Sequence, residues 1–564
     1  MQDEMTETRV TNIVGVLDAV AAERPHQMAV IVPDRRTADG RMSYTHLTFQ
    51  QLVRTSEAVG RGLLKVGMGR GTRTVLLVTP GLEFVTILFG MIRIGAVPVV
   101  IDPGLGIRNL KVCLAEAAPE AFIGVPRAHV ARIVLGWGRE TIKTVVTVGK
   151  RGPWGGVTYD DLLQLGASDE PLPAVVSDPN EMAVMPFTSG STGVPKGVVW
   201  PHKAMLAQID ILRNYFAMHP GKVFMSTFAP FTIFGPLIGM SSLLPQMDFT
   251  KPAEADPRVL IEEIEDFGVS AFLAAPSLMN NLGRYCEANG ITLPTIDVLL
   301  NVTGPMTDEI TARMTAALRP DVSVNLAYGA TECLGIARIA FDEIQRETRQ
   351  ITAAGGGVCV GRLFDETEAY IIEVTDEPIA TWDAARVLPP GEVGEIVVRG
   401  PLTSPAYYNR ERSNQLAKIQ HPDGSVLHRM GDLGYFDAQG RLWVAGRKSH
   451  RVEIREARLF TLMVERIFYT HPDVFRAALV GVELNGAVEA VLLVELEAAS
   501  AQKDREQIKR ELFAMAAKNE QARHIKHILF HPKFPTDIRH NTKIFREQLR
   551  PWAAQQLGGK VVAP

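Results

Sequence analysis

Residues 188–197 read TSGSTGVPKG, and they follow the apolar run AVMPF at 183–187. A loop this rich in glycine, serine and threonine lets backbone N–H groups and hydroxyls surround an anion, and Lys196 adds a positive charge. Kinases and GTPases use GxxxxGK followed by Ser or Thr, whereas Gly197 follows the lysine here. The stretch therefore predicts a phosphate-binding loop of another type behind a buried strand. The residues expected to contact phosphate are Thr188, Ser189, Gly190, Ser191, Thr192, Gly193 and Lys196.

Short apolar runs alternate with helical patterns on both sides of this loop. Residues 74–102 read as strand, helix and strand, residues 203–216 have helical spacing, and 269–276 and 322–329 are further apolar runs. This alternation predicts an α/β fold with parallel sheets covered by helices on both faces. From residue 391 onward, short runs separated by turn residues predict antiparallel hairpins instead.

Composition excludes several classes of protein. Hydrophobic residues make up 46% and charged residues 22% of 564 residues, as in an ordinary globular protein. A net charge of −4 argues against a dedicated nucleic-acid binder. Cys113, Cys286, Cys333 and Cys359 form no CxxC pair, and the N-terminal MQDEMTETRV has no apolar run. We therefore expect a cytoplasmic protein without a disulfide framework or a secretory signal.

The segment Val223–Met247 contains 25 residues without a charge, which is long enough for a membrane span. Pro230, Pro236 and Pro245 interrupt it, together with glycines and hydroxyl side chains, and these would strain a lipid-exposed helix. We expect no transmembrane span here, but a buried core or pocket segment.

The loop at 188–197 closely resembles the phosphate loop of the adenylate-forming superfamily, which includes acyl-CoA synthetases, peptide synthetase adenylation domains and luciferases. Four further segments follow in the order that this family uses: YGATE at 328–332, GEVGE at 391–395, GD at 431–432 and GRK at 446–448. Each motif is weak alone, but together they are specific, and the resemblance covers residues 95 to about 546.

The resemblance implies that this chain binds ATP and Mg²⁺. In the family, the aromatic residue of YGATE flanks the adenine, the threonine contacts the α-phosphate and the glutamate helps to hold Mg²⁺. The aspartate of GD holds the ribose hydroxyls, and the arginine of GRK reaches the ribose. In this chain the corresponding residues are Tyr328, Gly329, Thr331, Glu332, Asp432 and Arg447.

The family's last segment carries a catalytic lysine in a loop like PxTxxGK. Residues 534–543 here read FPTDIRHNTK, so that the loop is two residues longer and Thr542 replaces the glycine. The resemblance implies that Lys543 contacts the substrate carboxylate and ATP during adenylation.

The hinge segment departs from the pattern of the thioester-forming relatives. Ser449 replaces the usual hinge residue, and Glu456 replaces a glycine that lies beside the channel for the pantetheine arm in those relatives. A glutamate adds bulk and charge where glycine allows close approach, which argues against acylation of CoA or a carrier protein. A local rearrangement of the loop that leaves the channel open is the alternative.

The segments YGATECL, GRKSHRVE and DIRHNTKI resemble the olefin β-lactone synthetase branch more closely than any thioester-forming branch. This resemblance implies activation of a 2-alkyl-3-hydroxy fatty acid as acyl-AMP, followed by attack of its own 3-hydroxyl to give a β-lactone and AMP. His450 and His540 are candidate bases for that step. The alternatives are a long-chain acyl-CoA or acyl-carrier ligase and a non-catalytic acyl-nucleotide binder.

The uncharged segment would then line the pocket for a fatty acid. Two alkyl chains need such an apolar volume, although plain core packing explains any single residue equally well. The residues expected in this wall are Phe228, Phe231, Phe234, Leu237, Ile238 and Met240.

The resemblance also implies two domains. Residues 1–445 are expected to hold two sheet-and-helix subdomains and a β-barrel-like part, and residues 446–449 a hinge. Residues 450–564 would form a small mobile α+β domain that rotates about Ser449 and delivers Lys543. The 13 basic and 6 acidic residues from residue 501 onward agree with a separate basic domain. The expected partners are the fatty acid, ATP and other enzymes of a hydrocarbon-forming assembly.

Overall fold

The computed structural model describes residues 11–188, 194–301, 306–536 and 544–561. These residues form two large sheets, each covered by helices, and a smaller sheet near the C-terminus. The architecture is therefore a large multi-sheet α/β body followed by a smaller α+β part, as the sequence predicted.

The first sheet has seven strands, and its neighbours run parallel except at the Trp200–Pro201 edge. Successive residues of a strand point to opposite faces, so that Val75 and Leu76 enter two different cores. Helix Leu82–Arg93 packs on one face, and helices Ile107–Ala117 and Pro126–Val134 pack on the other. The strands, in spatial order, are Val157–Thr158, Thr144–Thr147, Ala121–Gly124, Arg73–Leu77, Val97–Val100, Met182–Pro186 and Trp200–Pro201.

One half of the second sheet is parallel, apart from its outermost strand. Its strands are Met42–Thr48, Met28–Arg36, Ser241–Leu243, Val223–Ser226, Ala271–Leu273, Val298–Asn301 and Ser323–Ala330. The helices of the two cores that enclose this half are Ile13–Glu23, Phe49–Lys65, His202–Phe216, Phe234–Ile238, Pro257–Phe267, Pro276–Asn289 and Asp308–Ala317.

The other half of this sheet is antiparallel. Its strands are Leu334–Ala340, Val358–Leu363, Leu442–Arg447, Val426–Phe436, Gly394–Arg399 and Glu368–Ile372, with Lys418–Gln420 paired beside Val426–Phe436. The hairpins expected after residue 391 are therefore present, and they continue the large sheet. Turn residues 437–441 connect the strand that carries Asp432 directly to the strand that carries Arg447.

The C-terminal part has its own sheet and its own cores. Strands Ile525–Phe530, Ala487–Leu496, Val474–Leu484 and Lys560–Val561 form the sheet. Helices Thr461–Phe468, Arg505–Ala517 and Arg546–Leu557 accompany it, and Val452–Glu453 and Arg458–Leu459 form a separate hairpin.

The remaining helices are short. They are Tyr159–Leu165, Phe341–Glu343, Arg349–Ala353 and Glu411–Ala417, the π-helical turn Ile344–Thr348, and the 3₁₀ turns Pro103–Leu105, Ala229–Ile233, Pro252–Glu254, Trp382–Ala384, Lys448–His450 and Ala498–Ser500.

The uncharged segment 223–247 is divided among several short elements in place of one long helix. A strand, a 3₁₀ turn, a five-residue helix and a second strand share it, because its prolines and glycines end each element early. Across the described ranges, no helix combines the length and the hydropathy that crossing a bilayer requires.

Candidate active site

The two ends of the glycine-rich loop are closed against each other. The N–H of Thr188 donates to the Lys196 carbonyl at 3.0 Å, and the N–H of Lys196 donates to Thr188 Oγ1 at 3.1 Å. Strand Met182–Pro186 leads directly into this closure, so that the loop starts at the carboxyl edge of the first sheet. The five predicted phosphate contacts between these ends, at 189–193, lie outside the described residues.

The C-terminal end of this loop is hydrogen-bonded to a second segment, residues 406–408, which the sequence motifs did not indicate. The Val199 N–H donates to the Ala406 carbonyl at 3.0 Å, and the Tyr408 N–H donates to the Gly197 carbonyl at 2.8 Å. This pairing places the ring of Tyr407 under Lys196, whose Nζ lies 4.6 Å from the ring centroid. No local pattern in the AYYN run at 406–409 points to this role.

Glu332 is held from two directions. The Tyr407 hydroxyl donates to Glu332 Oε1 at 2.5 Å, and the Ser404 N–H donates to the Glu332 carbonyl at 2.8 Å. The indole N–H of Trp200 donates to the carbonyl of the preceding Thr331 at 2.7 Å. Tyr407 therefore contacts both residues, with its hydroxyl on the Glu332 carboxylate and its ring below the Lys196 ammonium group.

Tyr328, Asp432 and Arg447 form a second cluster. The Tyr328 hydroxyl donates to Asp432 Oδ2 at 2.6 Å, and Arg447 Nε lies 3.1 Å from Asp432 Oδ1. Burial and the adjacent Asp432 carboxylate raise the pKa of Tyr328 well above its usual value, so that the hydroxyl stays protonated. The same carboxylate raises the pKa of Arg447. The cluster holds an oriented carboxylate, which suits recognition of vicinal hydroxyls.

Gly329 stands where the backbone has no room for a side chain. A Cβ at this position would lie 1.5 Å from the carbonyl oxygen of Leu334 on the neighbouring strand. The strands pair with a register shift between Tyr328 and Gly329, which brings the two backbones together. Any other residue at 329 would therefore displace the segment that carries Thr331 and Glu332.

The GEVGE segment has a structural role next to the predicted hinge. Glu395 is 1% exposed, and its Oε2 accepts hydrogen bonds from Arg429 Nε at 3.0 Å and from Lys448 Nζ at 3.1 Å. Burial lowers the pKa of Lys448. This buried ion cluster attaches the first turn after Arg447 to the antiparallel half of the sheet.

His450 follows this turn and lies among arginines. Burial lowers its pKa to about 3, and the positive charges of Arg546, Arg447 and Arg550 contribute in the same direction. Its Nε2 lies 3.9 Å from Glu547 Oε2. In the free protein His450 is therefore a neutral imidazole with little tendency to accept a proton. His540 and Lys543 lie outside the described residues.

A cavity of about 2080 Å³ connects the phosphate-loop, Glu332 and Asp432 groups, whereas His450 is not among its lining residues. Its wall also includes Phe228, Phe231 and Phe234, whose rings follow one another at centroid distances of 5.5 and 5.3 Å. The predicted nucleotide and phosphate residues that reach the same cavity are Thr188, Lys196, Tyr328, Gly329, Thr331, Glu332, Asp432 and Arg447. One continuous cavity therefore joins an apolar wall to a polar, charged end.

The prediction that Leu237 and Ile238 line the pocket is wrong. Both are 0% exposed in the hydrophobic core and are not among the cavity-lining residues, and Met240 is likewise in that core. The chain leaves the cavity after Phe234, because the turn packs on the first helix, Ile13–Glu23. The carbonyls of Leu237 and Ile238 accept hydrogen bonds from Arg213 there.

Comparison with known proteins agrees with this arrangement. The family model of AMP-binding enzymes matches residues 17–408. The chain belongs to the AMP-binding enzyme family. It is an adenylate-forming ligase, and enzymes of this kind use ATP to activate a small-molecule substrate.

Two relatives match over nearly their whole length. The olefin β-lactone synthetase of Stenotrophomonas maltophilia is 45% identical over 555 residues, which are 97% of this chain and 99% of that protein. The olefin β-lactone synthetase of Xanthomonas campestris pv. campestris is 44% identical over 562 residues, which are 99% of this chain and 100% of that protein.

Solved structures of adenylate-forming enzymes share the fold. An amide bond synthetase from Marinactinospora thermotolerans superposes with a TM-score of 0.76 at 22% identity, covering 96% of this chain and 99% of that one. An anthranilate CoA ligase in complex with anthranoyl-AMP gives a TM-score of 0.74 at 19% identity, covering 96% and 97%.

Proposed function

We propose that this AMP-binding enzyme converts a long-chain 2-alkyl-3-hydroxy fatty acid and ATP into a β-lactone, AMP and pyrophosphate. The observation that carries the proposal is the 45% identity over nearly the full length to an olefin β-lactone synthetase. The cavity supports it independently, because one continuous space joins a row of phenylalanine rings to the cluster of phosphate-binding and ribose-binding candidates.

The first step is adenylation. A carboxylate oxygen of the substrate attacks the α-phosphorus of ATP, a new O–P bond forms, and the bond to pyrophosphate breaks. Both reactants are anions, so the site must reduce their repulsion. Lys196 and the glycine-rich loop supply positive charge and N–H groups, and Lys543 would contact the substrate carboxylate. Asp432 and Arg447 would orient the ribose.

The residues around Glu332 fit a magnesium ion. One oxygen of its carboxylate accepts from the Tyr407 hydroxyl, and within the described residues nothing bonds to the other oxygen. Mg²⁺ takes few protein carboxylates and keeps several waters, so a single carboxylate oxygen that no described residue binds suffices beside a phosphate site. When bound, the ion would neutralise charge on the polyphosphate. The chain's own contribution is the orientation of Glu332 by Tyr407.

The second step is ring closure. The oxygen of the substrate's 3-hydroxyl attacks the acyl carbonyl carbon, a C–O bond forms, the bond to AMP breaks, and the hydroxyl proton passes to a base. Nucleophile and electrophile belong to one molecule, which removes the entropy of bringing them together. The His450 imidazole is neutral and lies three residues after Arg447, but burial and then the positive charge of the arginines weaken it as a base. An adenylate phosphate near Arg447 would offset that effect.

We further propose the domain division at 1–445, 446–449 and 450–564, with rotation about Ser449. The separate cores of the C-terminal part support it, as does the position of Ser449 in the 3₁₀ turn Lys448–His450 and on the cavity wall. Other enzymes of a hydrocarbon-forming assembly would supply the hydroxy acid and consume the lactone.

The test is a product analysis. The protein is incubated with ATP, Mg²⁺ and a 2-alkyl-3-hydroxy fatty acid, with and without CoA, and products are identified by mass. A β-lactone that forms with AMP and pyrophosphate in the absence of CoA supports the proposal. An acyl-CoA that forms only when CoA is present would overturn it in favour of a long-chain acyl-CoA ligase. Absence of pyrophosphate release would favour a non-catalytic binder.

A further inference from the structure

Lys418 is a buried lysine that the functions described so far do not use. It is 5% exposed, and its Nζ donates to the Ser404 carbonyl at 2.6 Å. Within the described ranges no carboxylate forms an ion pair with it. Burial lowers the pKa of Lys418 to about 8, which reflects the cost of keeping an ammonium group out of water. A buried ammonium group without a carboxylate partner among the described residues therefore needs an explanation.

The ring of Tyr407 connects Lys418 to the phosphate site. The Nζ of Lys418 lies 5.5 Å from the ring centroid, and the Nζ of Lys196 lies 4.6 Å from it. Ammonium groups within about 6 Å of an aromatic ring are attracted by its π electrons. The hydroxyl of the same ring donates to Glu332. One tyrosine thus contacts both lysines and the candidate metal ligand.

The backbone around Tyr407 is fixed by the same set of contacts. Its N–H donates to Asn414 Oδ1 at 2.7 Å, and Asn414 Nδ2 donates to its carbonyl at 2.9 Å. Lys418 anchors the preceding Ser404 carbonyl, and residues 406–408 pair with residues 197–199 at the exit of the phosphate loop. A displacement of Lys418 would therefore shift Lys196 through two contacts, namely the Ser404 carbonyl and the Tyr407 ring.

We propose that Lys418 is a positioning residue for adenylation, which acts through Tyr407 to fix Lys196 and Glu332 around the polyphosphate of ATP. This role for Lys418 rests on the adenylation half of the proposed function and is independent of lactone formation. The positive charge of Lys418, which pairs directly with no carboxylate of the described residues, also adds positive potential behind the loop, where a bound polyphosphate would be a counter-charge.

The melting temperature of a Lys418 variant distinguishes a positioning role from a purely structural one. Replacing a buried charge by an apolar group of similar volume is often neutral or stabilising, because the desolvation cost disappears. A lysine kept for packing alone would lose stability and activity together. A positioning lysine would lose activity while the melting temperature stays equal or rises.

The experiment compares Lys418→Met, Lys418→Arg and the exposed control Lys251→Met with the wild-type chain. We measure the affinity for ATP in the presence of Mg²⁺ by calorimetry, the carboxylate-dependent release of pyrophosphate, and the melting temperature. For Lys418→Met we expect affinity for ATP and kcat each to fall about tenfold, at an unchanged or higher melting temperature. Lys418→Arg should restore part of both, and Lys251→Met should match the wild type.

Two results would overturn the inference. One is an affinity for ATP in Lys418→Met that equals that of the wild type. The other is a loss of activity that follows the melting temperature in both Lys418 variants. If the wild type binds ATP but forms no lactone, the proposed product is wrong. The affinity of Lys418→Met for ATP still decides the role of Lys418 in that case.

Discussion

The hydroxyl of Tyr328 donates a 2.6 Å hydrogen bond to Oδ2 of Asp432, across 104 positions of the chain. The second oxygen of that carboxylate lies 3.1 Å from Arg447 Nε. The tyrosine lies near the end of strand Ser323–Ala330 in the parallel half of the large sheet, whereas the aspartate and arginine belong to adjacent strands of the antiparallel half. The candidate ribose site therefore combines strands from both halves of the sheet, although strands Leu334–Ala340 and Val358–Leu363 lie between them in the strand order.

Tyr328→Phe tests this contact. The variant keeps the ring but leaves one oxygen of Asp432 without its donor, so that the carboxylate is less well oriented. We expect the KM for ATP to rise about tenfold, which corresponds to about 1.4 kcal/mol, with a smaller change in kcat. Steady-state pyrophosphate release at varied ATP measures both constants. A fall in kcat with an unchanged KM would contradict the role in nucleotide binding.

Glu332→Gln tests the candidate metal ligand. The amide keeps the size of the side chain and an acceptor for the Tyr407 hydroxyl, but removes the negative charge that Mg²⁺ requires. We expect adenylation to fall by roughly two orders of magnitude and the Mg²⁺ concentration at half-maximal activity to rise. A magnesium titration of pyrophosphate release checks this. An unchanged magnesium requirement would exclude Glu332 as a ligand.

Glu395→Gln tests the ion cluster at the hinge side. The substitution leaves the buried Arg429 and Lys448 without their carboxylate, so we expect the free energy of unfolding to fall by about 3–5 kcal/mol. Glu453 is exposed and pairs with Arg451 and Arg458, so Glu453→Gln provides the control and should cost less than about 1 kcal/mol. Chemical denaturation of both variants gives the comparison, and equal losses would refute it.

Leu237→Ala and Phe231→Ala test whether Leu237 belongs to the core and Phe231 to the cavity wall. Leu237 is fully buried in the core, so its truncation should lower the free energy of unfolding by about 2–5 kcal/mol and leave the KM for the fatty acid unchanged. Phe231 lines the cavity, so its truncation should raise that KM more than it affects stability. Denaturation and kinetics on both variants test this, and the reverse pattern would restore Leu237 to the pocket.

His450→Gln tests the arginine environment of the imidazole. The folded pKa of about 3 lies below the unfolded value near 6.5, so the wild-type chain loses stability as the pH falls through 6.5, where only the unfolded state gains a proton. Between pH 7 and 5.5 this loss is about 1 kcal/mol. The variant lacks it, and its free energy of unfolding should fall less steeply over that interval. Parallel slopes would show that His450 keeps an ordinary pKa in the fold.

Motif reasoning can identify candidate residues whose chemistry depends on short, contiguous segments of the chain. The glycine-rich loop, YGATE, the GD pair and GRK each combine a special backbone with a polar side chain, so that short segments specify them. The predicted residues of these segments that the structure describes lie on one cavity. The pocket wall was only partly predictable, since apolar residues carry no local sign of whether they face a cavity or the core. Phe234 faces the cavity, and Leu237, three residues later, does not.

The amino-acid sequence by itself determined the α/β class, the family and the candidate nucleotide residues, because periodicity and motif order are local properties of the chain. Only the tertiary structure decided which residues from distant parts of the chain contact these candidate nucleotide residues. Tyr407 and Lys418 show no motif, yet sheet pairing brings Tyr407 to Lys196 and Glu332, with Lys418 behind its ring. Contacts of this kind depend on strand pairing between residues far apart, and local patterns contain no information about that pairing.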